Sequence, residues 1–126
     1  MKKIEEKTTR TQQKEQTKRK ILDAALKRFS LRGFHGTSIR DINSSIDVAD
    51  GLLYHYFPGG KEELFTIVSE DAVKEIENEM LSRQISFETM QLEDILESMY
   101  QFTSDVFSKH DNEVKLLVSA YSDLES

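Results

Sequence analysis

The sequence contains no cysteine, only one proline and no long apolar run. Without cysteine, a disulfide framework, a thiolate metal site and a cysteine nucleophile are excluded. One proline and five glycines in 126 residues are too few for a fold of many strands and turns, so the composition favours helices. No apolar segment approaches the ~18 residues of a membrane span, and residues 1–6 lack the apolar stretch of a secretory signal. We therefore expect a cytoplasmic protein with no membrane partner.

Positive charge is concentrated at the N-terminus, although the chain as a whole carries a net charge of −6. Residues 1–40 hold 12 of the 17 Lys and Arg residues and four of the 23 acidic ones, a net charge of +8. This asymmetry indicates that the N-terminal part meets a polyanion such as nucleic acid; a lysine-rich solvated tail followed by acidic helix faces is the alternative. Because residues 1–16 have almost no apolar side chain beyond Ile4, they are predicted to form a flexible basic tail.

The spacing of apolar residues predicts an all-α fold. The expected helices cover about 17–31, 38–45, 49–56, 61–80, 92–106 and 114–121, with a polar loop at 82–91. Gly33 is expected to end the first helix in a left-handed conformation, and Ser38 with Asp41 forms a capping pattern at the start of the second. Carboxylates spaced four apart at Asp71, Glu75 and Glu79 are typical of a solvated helix face.

The unit at 37–56 consists of two short helices joined by a three-residue turn. Helices joined so tightly must cross steeply, which is the helix-turn-helix arrangement. Such a unit places its second helix in the major groove of DNA while the first crosses the backbone. By this pattern alone, a helical corner with no ligand is an equal alternative.

From Arg19 to Leu64 the chain resembles the DNA-binding domain of the TetR/AcrR family of bacterial transcriptional regulators. The residues that carry the resemblance are Ile21-Leu22, Ala24-Ala25, Phe29, Gly33-Phe34, Gly36-Thr37-Ser38-Ile39, Ile42, Val48, Gly51, Leu53-Tyr54, Tyr56-Phe57 and Lys61-Glu62-Glu63-Leu64. The match is in register except that Gly59-Gly60 adds one residue before Lys61.

The resemblance implies a three-helix DNA-binding head over 17–64, then a long linking helix and part of a helical effector and dimerisation domain over 65–126. It implies a repressor that is released from double-stranded, palindromic operator DNA by a small-molecule effector of unknown identity. It also implies a homodimer for the full-length form. In the family, the dimerising helices lie further along than residue 126. No cofactor or metal is implied.

The resemblance also implies two groups of DNA-binding residues. Those carried over as phosphate contacts are Ser38, Tyr54, His55, Tyr56 and Lys61, and those facing base edges are Arg40, Asp50, Gly51 and Leu52. Hydroxyls, phenols and an ammonium suit phosphate oxygens, and an arginine suits guanine O6 and N7. The alternatives are a core position for Tyr54 and ordinary solvated side chains at His55 and Lys61.

Three positions depart from the family's pattern. Asn43 replaces a favoured alanine where the second and third helices approach, Asp47 replaces a glycine in the turn, and Ala49 replaces a serine cap. Asp tolerates the left-handed conformation, so the turn is expected to survive, with Asp47 or Asp50 capping the third helix. The recognition helix itself contains no Lys or Arg.

An enzyme is not expected, since the chain has no His-Glu-x-x-His pair and no phosphate-binding glycine loop. The acidic start of the recognition helix keeps a second possibility open, which is a helical protein-interaction module whose degenerate helix-turn-helix does not bind DNA. Ligand-binding residues cannot be assigned from the sequence, because aromatic and Met residues at helical spacing in the C-terminal part suit a core as well as a pocket.

Overall fold

A computed structural model describes residues 2–83 and 88–125 of the chain, with side chains for 9–83 and 88–124. Within these ranges the secondary structure is all helical, as predicted: α1 (Lys2–Arg32), α2 (Ile39–Ile46), α3 (Asp50–Tyr56), α4 (Gly60–Leu81), α5 (Leu92–Lys109) and α6 (Asp111–Glu125). Part of the predicted 82–91 loop lies outside the described residues. None of the described helices is both long enough and apolar enough to cross a membrane.

The first helix is much longer than predicted, because it begins at Lys2 rather than near Thr17. Residues 2–16, which the sequence predicts as a flexible basic tail, are therefore part of α1. Residues 9–16 are exposed, so no tertiary burial fixes them. They are rich in Gln, Lys, Glu and Arg, which have high helix propensity, and extending an existing helix avoids the cost of nucleation.

The connection from α1 to α2 is fixed by Gly33 and Thr37. Gly33 has a positive φ of 73°, and its N–H donates to the Phe29 carbonyl at 2.8 Å, so the predicted left-handed end of the helix is confirmed. Thr37 is buried, and its hydroxyl lies 2.9 Å from the Gly33 carbonyl oxygen and 3.1 Å from that of Arg28. One buried hydroxyl therefore binds the end of α1 directly before α2 begins.

The start of α2 has the predicted capping box. The Ser38 hydroxyl accepts from the Asp41 N–H at 3.0 Å, and the Asp41 carboxylate accepts from the Ser38 N–H at 3.0 Å. These hydrogen bonds with Ser38 lower the pKa of Asp41. At the other end, Asp47 adopts the left-handed conformation with φ 56°, as the sequence predicts for a turn that survives without glycine.

The start of α3 corrects the capping prediction. Its N-cap is Ala49, which makes no side-chain cap. Asp47 is instead the C-cap of α2, and Asp50 accepts a hydrogen bond from Asn43. The helix ends at Tyr56, before Pro58, as predicted. Gly60 then has φ 64°, and an added Cβ would lie 3.0 Å from the Tyr54 ring, so the link needs glycine for conformation and for space.

The chain divides into two compact units, Met1–Val68 and Ser69–Ser126; we call the first unit the head. Its fully buried large side chains are Ile21, Phe29, Ile42, Leu53 and Leu64. Leu53 on α3 is fully buried, while the neighbouring Leu52 is 38% exposed. On α1 the buried apolar side chains are Ile21, Ala24, Ala25 and Phe29, while Leu22 and Leu26 are half-buried.

In the second unit the buried apolar side chains are Ala72, Val106 and Leu116. Polar contacts are prominent here. The Arg83 Nη2 lies 2.9 Å from Glu79 Oε1 and 2.5 Å from Asp105 Oδ2, while Lys109 and His110 approach Glu79 at 3.6 and 3.5 Å. Glu79 therefore belongs to a half-buried ionic cluster, and the prediction that it lies on a solvated face was wrong. Hydrogen bonds from Arg83 lower the pKa values of Glu79 and Asp105.

Candidate nucleic-acid interface

An open groove of about 600 Å³ lies at the N-terminal end of α2. It is lined by residues from the α1–α2 connection, the first turn of α2, α3 and the start of α4: His35, Gly36, Thr37, Ser38, Ile39, Arg40, Asp41, Tyr54 and Lys61. Four of the nine sequence-predicted site residues are therefore brought together in one concave surface. They are Ser38, Arg40, Tyr54 and Lys61.

The start of α2 offers donors to the groove. Ser38 is exposed, and because its oxygen already accepts from the Asp41 N–H, its hydroxyl proton remains available to donate. Arg40 is exposed on the same first turn. The carboxylate of Asp41 also lines the groove, but it accepts from the Ser38 N–H. The N-terminal end of a helix carries partial positive charge, which favours an anion at this position.

Lys61 is held at the groove by an aromatic cluster of the head. Its Nζ lies 4.2 Å from the centre of the Phe34 ring. Phe34 contacts Phe65 edge-on at 5.1 Å between ring centres, and Phe65 contacts the buried Phe29 at the same distance. A cation over an aromatic face keeps its charge while losing some of its freedom. The Lys61 ammonium thus lies against this aromatic cluster at the edge of the groove.

Of the two positions that the sequence left open for Tyr54, the core and the DNA-facing surface, the structure places it at the surface. Its side chain is 48% exposed, which excludes a core position. One edge of its ring faces Gly60, where an added Cβ would come within 3.0 Å of Cε1. The close approach of Gly60 fixes the ring, while the exposed part lines the groove.

The other five predicted site residues lie on α3 and do not line the groove. Asp50, Gly51 and Leu52 form the exposed first turn, and an added Cβ on Gly51 would meet nothing within 4 Å. His55 is exposed and contacts the half-buried Tyr56 ring at 5.3 Å. This exposed start of a short helix is free of neighbouring side chains at Gly51 among the described residues, so it has the space to enter a groove of DNA.

Three further residues of this region were not carried over from the family as DNA contacts. His35 lines the groove and packs edge-on against Phe34 at 5.2 Å; its place directly after Phe34 in the short connection is the signal that was available. Lys18 lies 6.0 Å from the centre of the Tyr56 ring, which brings a cation of α1 beside α3. Asn43 is buried, and its amide donates to Asp50 at 2.6 Å.

The arrangement provides hydroxyl, guanidinium, phenol and ammonium groups on one face and an exposed helix start beside them. These are groups that bind phosphate oxygens and base edges without chemical conversion of a substrate. Among the described residues, no group of three or more His, Asp or Glu side chains could hold a metal ion.

Comparison with known proteins agrees with this geometry. The family model described as "Bacterial regulatory proteins, tetR family" matches residues 21–67, which lie within the head. The HTH-type transcriptional regulator LmrA of Bacillus subtilis is 44% identical over 48 residues, covering 38% of this chain and 26% of the relative.

Two other relatives are similar over more of the chain. The HTH-type transcriptional repressor NicS of Pseudomonas putida is 31% identical over 110 residues, covering 87% of this chain and 50% of NicS. The HTH-type transcriptional regulator HbdR of Aromatoleum sp. is 29% identical over 97 residues, covering 77% of this chain and 42% of HbdR.

The chain thus spans between a quarter and a half of the length of these relatives. No solved structure matches it. The family match falls on the helix-turn-helix and its two flanking helices, and the relatives are named as helix-turn-helix regulators of transcription. The head of this chain therefore belongs to the tetR family of bacterial regulatory proteins, by its residues 21–67.

Proposed function

We propose that this protein is a DNA-binding regulator of transcription. Its head binds duplex DNA through the groove at α2 and the exposed start of α3. The observation that carries the proposal is the convergence of Ser38, Arg40, Tyr54 and Lys61 on one groove. A net charge of +8 over residues 1–40 supports it, because a cationic surface attracts the DNA backbone. The location that follows from this activity is the bacterial cytoplasm, where the DNA is.

Within this proposal, Ser38, Tyr54 and Lys61 bind phosphates and fix the register of the protein on the duplex. His55 and Tyr56 act as further backbone contacts at the end of α3. Arg40 and the first turn of α3, with Asp50, Gly51 and Leu52, face base edges in the major groove.

We further propose that the protein acts as a homodimeric repressor on a palindromic operator and is released by a small-molecule effector. Two heads related by two-fold symmetry read two half-sites, and joint binding raises the affinity well above that of one head. The name of NicS, a transcriptional repressor, supports the direction of regulation. A promoter–reporter assay with and without the gene tests it, and activation in place of repression would overturn it.

The main test is the salt dependence of DNA binding, measured by fluorescence anisotropy with duplex DNA from the promoter region of the protein's own gene. Each neutralised phosphate adds about −0.9 to the slope of log K against log salt. Lys61→Ala should weaken binding to all duplexes and flatten the slope by about one unit. Lys74→Ala, an exposed lysine elsewhere on α4, is the matched control and should change neither quantity. An unchanged slope for Lys61→Ala would remove Lys61 from the interface.

Arg40 tests the base-reading part of the proposal. Arg40→Ala should lower affinity for the operator more than for a random duplex, because a bidentate contact to guanine contributes about 1–3 kcal/mol of discrimination. The ratio of the two dissociation constants measures the effect. Equal losses on both duplexes would reassign Arg40 to the backbone.

A second candidate is a helical interaction module that does not bind DNA. It is favoured by α3 itself, which begins with Asp50 and contains no Lys or Arg. A carboxylate repels phosphates, so the start of this helix adds no electrostatic attraction to the DNA backbone. The salt experiment separates the two candidates, because a module of this kind shows no salt-dependent affinity for any duplex.

A further inference from the structure

Asn43 is a buried amide on α2 that contacts the first turn of α3. Its side chain is 3% exposed, and its Nδ2 lies 2.6 Å from Oδ1 of Asp50. A carboxylate only accepts hydrogen bonds, so the amide nitrogen is the atom that faces it. Asp50 is itself exposed, although its Oδ1 accepts a hydrogen bond from the buried Asn43 amide.

Asn43 also makes backbone hydrogen bonds to the turn between α2 and α3. The Asn43 carbonyl accepts from the N–H of Asp47, the left-handed residue, and from the N–H of Val48 at 3.2 Å. Asn43 therefore binds the turn through its backbone and the recognition helix through its side chain. The N-cap of that helix, Ala49, supplies no side-chain hydrogen bond of its own.

The amide at this position also has a cost to stability. The Asn43 Oδ1 is buried and has no hydrogen-bond partner among the described residues. A buried acceptor without a partner is a destabilising feature, and a small apolar residue at position 43 would avoid it. What an apolar residue would lose is the hydrogen bond to Asp50.

We propose that Asn43 is a positioning residue for base recognition, which acts through Asp50. With Oδ1 held by Asn43, the carboxylate plane is fixed, and Oδ2 accepts from the N4 amine of a cytosine in the major groove. Without Asn43 the Asp50 carboxylate rotates freely, so it discriminates cytosine from the other bases less well. The inference rests on the proposed function, since it assumes that the start of α3 faces base edges.

The test is selection of binding sites from a random duplex library by the purified full chain, read out as base preference at every position. Wild type should prefer cytosine at one position of each half-site. In Asn43→Ala and in Asp50→Ala this preference should fall roughly tenfold at that position alone, and the double variant should lose no more than either single one. Ser44→Ala, an exposed neighbour on α2, is the control and should keep the wild-type profile.

Asp50→Asn provides a second readout that does not depend on removing the buried amide. Asparagine keeps an acceptor for the Asn43 amide, but the atom that then faces the base is an amide nitrogen, which donates and cannot accept from cytosine N4. The preference at the same position should therefore change from cytosine to a base that presents an acceptor in the major groove, such as guanine. A merely structural role for position 50 would not change the identity of a preferred base.

The outcomes separate the inference from the proposed function. If wild type shows no salt-dependent binding to any duplex, both are overturned. If wild type selects a site and Asn43→Ala gives the same profile, only the role of Asn43 is overturned. A loss spread evenly over all positions, with or without a lower melting temperature, would also overturn it, because it would mark Asn43 as structural.

Discussion

The head and the second unit bury their apolar side chains to very different degrees. The head encloses Ile21, Phe29, Ile42, Leu53 and Leu64 completely, whereas in the second unit only Leu116 reaches this level among the described residues. The second unit instead exposes large apolar side chains, most of them on α5 and α6: Val73, Met80, Leu81, Leu92, Leu96, Met99, Tyr100, Phe107, Val118, Tyr121 and Leu124. Exposed apolar surface on this scale is typical of interaction sites.

The two units also use polar side chains differently. In the head, Ser38, Thr37 and Asn43 bind helix ends and turns, so polar contacts define where each short helix begins. In the second unit, Arg83 links Glu79 on α4 with Asp105 on α5. The head is thus packed around its own apolar core, while an ionic contact joins two helices of the second unit.

The largest expected difference between the head and the second unit is in how much a leucine-to-alanine substitution lowers the free energy of unfolding. Leu64→Ala in the head should lower the free energy of unfolding by about 2–5 kcal/mol, because a fully buried side chain leaves a cavity. Leu96→Ala in the second unit, where the side chain is 56% exposed, should change it by less than about 0.5 kcal/mol. Urea denaturation followed by circular dichroism measures both.

That comparison fails if Leu96→Ala proves as costly as Leu64→Ala. Such a result would show that the α5 surface is covered in solution by further protein surface. A dependence of the Leu96→Ala effect on protein concentration would then identify the covering surface as a second copy.

A smaller effect is expected at the glycines of the head. Gly60→Ala places a Cβ in a left-handed conformation and against the Tyr54 ring, so it should destabilise by about 1–2 kcal/mol. Gly51→Ala on the open side of α3 should stabilise by about 0.5–1 kcal/mol, because alanine is the better helix former. Thermal denaturation measures both, and equal effects of the same sign would contradict the assigned backbone conformations.

The smallest effect at neutral pH is expected at the ionic cluster. Arg83 lowers the pKa values of Glu79 and Asp105, so ionisation of both carboxylates favours the folded state. Their contribution is present above the pH at which they ionise in the unfolded chain, about 4, and is lost as the pH falls through the lower folded values. Arg83→Gln should lower the melting temperature at pH 7 and flatten its decline below about pH 5.

The control for this experiment is Lys115→Gln, which breaks an exposed pair with Asp111. Exposed pairs contribute little, so the control should follow the wild-type curve. Parallel curves for wild type and Arg83→Gln would show that the cluster does not couple protonation to folding.

The sequence by itself determined those features that depend on residues a few positions apart. The capping box joins Ser38 and Asp41, and Gly33 ends a helix through a bond to Phe29, so each is visible as a short pattern. The start of α1 escaped prediction because the apolar pattern reports burial, whereas exposed residues extend a helix through propensity alone.

Only the tertiary structure decided which distant side chains meet. The groove joins Ser38 to Tyr54 and Lys61, Asn43 reaches Asp50 across the turn, and Arg83 reaches Asp105 on another helix. The tertiary structure also decided that on α6 Leu116 is fully buried whereas Val118 is exposed. The physical reason is that these contacts depend on the angles at which helices cross, and those angles are set by packing of whole side chains rather than by residue spacing.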